Sequence, residues 1–171
     1  MNLYAHHNDP ESIHGYKKAQ TTVPQVVWDK YKNNPRELKK YEHVIAKSPK
    51  LAYEYARKEI GQEFPAGEEA IATNPEYSTL YAMQVVHGRF KEGEPAIAKS
   101  ASHALEYAID VLDGEFPAGE AAIAKSAQCS YLYARDVVGG SWEPGEKAIY
   151  SSSIYKARYK EFLKDKEEED T

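Results

Sequence analysis

Residues 74–94 read NPEYSTLYAMQVVHGRFKEGE, and this stretch decides the fold. Asn74 stands where a helix N-cap is expected, because its side-chain oxygen can accept from an unpaired N–H of the first turn. Pro75 follows at the first helical position, where a missing N–H costs nothing. Ser78, Tyr81, Ala82, Val85 and Val86 then keep the i, i+3, i+4, i+7, i+8 spacing of one face of an amphipathic helix. Gly88 comes next, at the expected left-handed position just past the helix end, which needs no Cβ. Phe90, two residues on, is expected to fold back over that end.

The pattern recurs at a fixed interval of 26 residues. Tyr55, Tyr81, Tyr107, Tyr133 and Tyr159 keep that spacing, and the first four are followed by Ala56, Ala82, Ala108 and Ala134. Ile45, Ile71, Ile97, Ile123 and Ile149 do the same, as do Phe64, Phe90, Phe116 and Trp142. Self-similarity at this period is the signature of a stacked repeat architecture. Ser48, Asn74, Ser100, Ser126 and Ser152 repeat the N-cap, and Gly114 and Gly140 repeat the helix-end position of Gly88. A second, shorter helix is predicted between successive long ones. Pro65-Ala66-Gly67-Glu68 and Pro117-Ala118-Gly119-Glu120 begin it, and Ala70-Ile71-Ala72 supplies its apolar stripe. A helix of about two turns is unstable alone, so the longer helices must hold it. The expected fold is all-α: a compact, solenoid-like αα-repeat stack of about five helix-turn-helix units.

Residues 38–153 carry the repeats, and the whole chain reads as one domain. Residues 1–37 are expected to form an N-terminal cap, with a short helix over 10–20 and a better one over 24–32 that places Val27, Trp28 and Tyr31 on one side. Residues 154–171 are expected to form a C-terminal capping helix, with Tyr155, Tyr159, Phe162 and Leu163 on one side, followed by a frayed acidic tail. A stack needs such atypical ends to cover its core.

Composition excludes several classes. The chain has 171 residues, 42% hydrophobic and 29% charged, which fits a globular domain rather than a disordered one. A net charge of −5 argues against a non-specific nucleic-acid or membrane-surface binder, since both need basic surfaces. The single Cys129 allows neither an intrachain disulfide nor a cysteine metal cluster, and reads as a partly buried packing residue. His6, His7, Asp9, Glu11 and His14 are metal-ligand types, but their spacing matches no established site. No metal or cofactor is therefore expected. No apolar run resembles a signal peptide or is long enough to span a bilayer.

Two sets of residues are candidates for function. The first is an acidic column, Glu42, Glu68, Glu94, Glu120 and Glu146, which could line one edge and bind cations or a basic partner. The simpler reading is helix-start electrostatics repeated because the helix is repeated. The second set lies on the long helices, where the solvent side differs between copies while the core columns do not. Leu80, Met83, Gln84, His87, Ile109, Asp110, Leu132 and Arg135 belong to it, and its apolar members could form an exposed patch of the kind that marks protein-binding surfaces. The tyrosine columns at 55, 81, 107 and 133 read as core rather than as base-stacking platforms. Tyr53, Thr79, Leu105 and Tyr131 are expected at the edge of the apolar face, partly exposed. Gly67, Gly93, Gly119 and Gly145 form no phosphate loop, since no Gly-Lys-Ser/Thr follows. No nucleophile–base arrangement can be assembled from the spacing, so no enzymatic activity is expected.

The motif Tyr-Ala-x-x-Val-x-x-Gly-x-Phe followed by Pro-x-Gly-Glu-x-Ala-Ile-Ala, as in residues 81–90 and 65–72, resembles short helical repeats of uncharacterised proteins from large tailed bacteriophages. The resemblance covers residues 38–159 and carries no catalytic or binding residue. It implies an accessory protein of the bacterial cytoplasm that binds and blocks a host defence protein or nucleoprotein complex; direct nucleic-acid or membrane contact is not expected, on the ground of the net charge given above. The alternatives are an acidic decoy that occupies a nucleic-acid channel through the glutamate column, and a small-ligand or single-stranded nucleic-acid binder.

Overall fold

A computed structural model describes residues 22–169. The helix expected over 10–20 and the N-terminal histidines lie outside the described residues, as do the last two residues of the tail. Among the described residues the chain is all-helical, with no strand.

Three helices open it: α1 (Pro24–Tyr31), α2 (Pro35–Lys39) and α3 (Glu42–Ile45). Helix α2 was not legible in the sequence pattern; Asn34 caps it by accepting from the Glu37 N–H at 3.3 Å. From there short helices alternate with long ones, four of which gain their length from a π-helical continuation described below. The long ones are α4 (Pro49–Tyr55), α6 (Pro75–Tyr81), α8 (Ala101–Tyr107), α10 (Ala127–Tyr133) and α12 (Ser153–Glu169). The intervening ones are α5 (Pro65–Ile71), α7 (Glu94–Ile97), α9 (Pro117–Ile123) and α11 (Glu143–Ser151). Successive long helices touch, α4 to α6, α6 to α8, α8 to α10 and α10 to α12, and each of the first four packs most heavily on the short helix that follows it.

The expected caps are largely in place. Ser48, Asn74 and Ser126 accept from the N–H three residues on, at 3.5, 3.1 and 3.3 Å. Ser100 departs from this: its hydroxyl lies 2.8 Å from His103 Nδ1 and makes no bond to the helix N–H groups. The imidazole at this position competes for the oxygen that caps the other helices.

The helix ends differ from the sequence expectation. Helices α4, α6, α8 and α10 run without a break into five-residue π-helical turns, Ala56–Ile60, Ala82–Val86, Ala108–Leu112 and Ala134–Val138. A π turn holds more residues than an α turn, and this resets which residue must leave the helix left-handed. The positive-φ residues are Gly61, His87, Asp113 and Gly139, with φ of 63°, 53°, 48° and 71°. Gly88, Gly114 and Gly140 sit one residue later without positive φ, and their N–H groups close the turn onto the carbonyls of Ala82, Ala108 and Ala134 at 3.1 Å. Two copies therefore place a side chain where the backbone favours glycine.

The core is a continuous cluster centred on the columns Tyr55, Tyr81, Tyr107, Tyr133, Tyr159 and Ile45, Ile71, Ile97, Ile123, Ile149, all essentially inaccessible. Phe64, Phe90, Phe116 and Trp142 do fold back onto it, with ring centroids 5.0, 5.1, 5.1 and 4.8 Å from the tyrosine rings. The column Tyr53, Thr79, Leu105 and Tyr131, expected at a partly exposed edge, is buried. Tyr53 and Tyr131 face the next long helix, with rings 6.0 Å from Tyr77 and from Tyr155, and the Tyr53 hydroxyl donates to Gln84 Oε1 at 2.8 Å. Cys129 is half-buried against the core, as expected. No described helix is long and apolar enough to cross a membrane.

Two glycine positions give opposite expectations. A Cβ on Gly119 would fall 2.6 Å from the Phe116 ring and 2.7 Å from the Ala104 methyl. Gly119→Ala should therefore destabilise by about 1–3 kcal/mol through overpacking. Asp113→Gly removes left-handed strain from an exposed residue and should stabilise by about 1 kcal/mol. Gly114→Ala should stay within about 0.5 kcal/mol of wild type, because nothing crowds the site and φ is unexceptional there. Urea unfolding followed by circular dichroism checks all three; a large loss at Gly114 would return the left-handed position to it.

Candidate functional site

The acidic column is best understood from its partners. A tyrosine hydroxyl placed at the centre of a core must find hydrogen bonds, because an unsatisfied buried hydroxyl costs about 1–3 kcal/mol. The Tyr81 hydroxyl receives the Phe64 backbone N–H at 2.8 Å and donates to Glu68 Oε1 at 2.9 Å. The same relay joins Phe90, Tyr107 and Glu94 at 3.0 and 3.1 Å. It joins Phe116, Tyr133 and Glu120 at 3.0 and 2.9 Å. It joins Trp142, Tyr159 and Glu146 at 2.9 and 3.3 Å. Tyr55 makes the carboxylate half alone, to Glu42 at 2.6 Å.

The first three relays tie the α-helical end of a long helix to the preceding short helix, and the fourth ties the first half of α12 to α11. Phe64, Phe116 and Trp142 are N-cap residues, the first two followed directly by proline and the third by Glu143 and Pro144, so the tyrosine takes over an N–H next to a helix start. All five glutamates are half-buried. Burial, reinforced by the carboxylate acceptor, raises the tyrosine hydroxyls above their usual range, Tyr107 to about 12, even though the donated backbone N–H pulls the other way. Glu94 also takes the Arg89 guanidinium, through Nε at 2.5 Å and Nη2 at 3.1 Å. The column is thus a set of internal hydrogen-bond acceptors rather than an open anionic edge. Two polar columns offset by 13 residues, half the repeat, were the sequence signal for this pairing.

The second candidate set falls together. Met83, Gln84, Ile109, Asp110 and Arg135 all lie in π turns, Leu80 and Leu132 lie just before two of them, and His87 is the left-handed residue that leaves one. Successive π turns touch one another, so these residues share one row. Their exposure is uneven. Leu80, Ile109 and Leu132 are half-buried and pack on the core, and Met83 is half-buried too, so the apolar surface is smaller than the pattern implied. Gln84, His87, Asp110 and Arg135 are exposed. Gln84 accepts from Tyr53, and the His87 Nδ1 lies 3.1 Å from the Met83 carbonyl. Arg135 grips Asp136 with two hydrogen bonds of 2.6 and 2.7 Å and lies over the Tyr131 ring.

Among the described residues no cluster of three or more His, Cys, Asp or Glu side chains is placed to hold a metal ion. Ser100 and His103 form the one serine–histidine contact noted above, and no carboxylate bonds that imidazole among the described residues. Comparison with protein-family models, with curated proteins and with solved structures finds no match.

Tyr81→Phe should cost about 1–3 kcal/mol, because it strands the buried Phe64 N–H. Tyr55→Phe should cost less, since its hydroxyl serves no backbone donor and water can reach Glu42. Alkaline titration tests the column as a whole. A hydroxyl raised in the folded state adds stability that is complete below the unfolded value of about 10 and lost as pH climbs toward the folded one. Tyrosinate absorbance from the buried column should therefore appear together with loss of helical signal; tyrosinate that forms while helicity is intact would show that these hydroxyls are not held in the core.

Proposed function

We propose that the chain is a non-enzymatic protein-binding module, a solenoid-like stack of helical repeats that docks on its partner through the row of π turns. One observation carries this reading. The polar groups that repeat are consumed within the fold, whereas the residues that differ between copies gather on adjacent π turns. Turns of this kind are frequent at functional sites. His87 and Asp113 keep side chains at left-handed positions where the flanking copies have Gly61 and Gly139, and a strained residue retained on an exposed surface supports a role outside folding.

The resemblance to phage repeat proteins supplies the setting: an inhibitor that docks on a host defence protein or nucleoprotein complex in the bacterial cytoplasm. The decoy alternative loses its main support, because each glutamate of the column is half-buried and already accepts a tyrosine hydroxyl.

Affinity capture from bacterial lysate tests the reading, comparing wild type with a Gln84→Ala/His87→Gly/Asp110→Lys variant whose helicity is verified. The expected outcome is one dominant protein partner that the variant loses. A partner retained in full would move docking off the π-turn row. Nucleic acid or a small molecule captured without protein would overturn the protein-binding reading.

A further inference from the structure

Three grooves on the described surface differ in charge. The largest, 580 Å³, lies between α3 and α5 and sets His43 and Lys47 against Glu69. A 370 Å³ cleft beside α12 sets Arg135 and Arg158 against Glu161 and Asp165. Both neutralise themselves. The third, 410 Å³, lies between the turn that joins α9 to α10 and helix α11; Lys125 and Lys147 line it together with Ala124, Ala127, Ala148, Pro144 and Ser151, and no acidic side chain does. Neither lysine makes an ion pair among the described residues.

We propose that this groove docks an acidic segment of a partner protein. Two unpaired ammonium groups on a chain of net charge −5 form a local positive site within a field that otherwise repels anions. Carboxylates of an incoming segment would be engaged by Lys125 and Lys147 through charge-assisted hydrogen bonds. The alanine methyls of the lining accept aliphatic stems. The Ser151 hydroxyl, which donates to the Ala148 carbonyl at 2.6 Å, keeps its lone pairs for a backbone N–H. The lining has no aromatic face on which a base could stack, which favours peptide over single-stranded nucleic acid. The site uses none of the residues of the π-turn row and stands or falls separately from it.

Fluorescence anisotropy with a labelled peptide of alternating Glu and Leu tests the proposal on the full chain. The comparison is between Lys125→Glu/Lys147→Glu and a control of equal charge change, Lys99→Glu/Lys160→Glu, with circular dichroism verifying both folds. Binding that weakens about tenfold or more in the first variant and holds in the control supports the groove. Absence of binding to wild type overturns it, as does equal weakening in both variants, which would make the effect one of overall charge. Tighter binding of an oligothymidine than of the peptide would overturn the choice of partner class.

Discussion

A phenol cannot be sealed inside an apolar core unless its hydroxyl is answered, and this requirement organises the molecule. Tyr81, Tyr107, Tyr133 and Tyr159 are fully buried, and each hydroxyl takes one backbone N–H and gives one hydrogen to a glutamate. Both partners come from the segment that precedes the tyrosine's own helix. A long helix that meets this demand is fixed in height and rotation against the short helix before it. Directional bonds with little tolerance do here what non-directional burial cannot do alone.

Close packing around the relay depends on the absence of side chains. At Gly119 the short helix meets the Ala104 methyl of the long helix and the Phe116 ring, with no room for a further carbon. The ring in turn lies against Tyr107 at 5.1 Å, which closes the core over the hydroxyl it must shelter. Ala52 and Ser78 meet Gly67 and Gly93 in the same way, and the Ser78 hydroxyl is spent on the Ile71 carbonyl. Small residues set the approach, aromatic rings fill the remaining volume, and the hydroxyl sets the register.

The surfaces proposed above to meet partners are what this scheme leaves free. The π turns project different residues from each copy, and two of those turns end in strained, non-glycine residues. The short helices leave grooves floored by alanine because alanine is what close helix packing requires; the charge along each groove is set by exposed positions that packing does not constrain. The C-terminal helix departs from the others by staying α-helical past Tyr159, where its neighbours turn. It carries Lys156 and Lys160 at the repeat positions of Ser130 and Ala134, which are fully buried against a following helix in the copy before.

The sequence by itself determined the helical class, the alternation of long and short helices and most of the caps. These follow from local chemistry, apolar spacing, N-cap oxygens and proline, that any isolated copy already contains. It also placed the tyrosine and isoleucine columns in the core, because they recur at 26 residues on the apolar face of each helix. The tertiary structure decided what no single helix contains. It decided that the tyrosine pairs with a glutamate 13 residues earlier and an amide 17 residues earlier, and that Tyr53 and Tyr131 are buried by the next long helix. It decided that the long helices end in π turns and so shift the left-handed residue from Gly114 to Asp113. Each of these depends on the distance between neighbouring helices. That distance is set by packing between helices and leaves no mark on the periodicity of one segment.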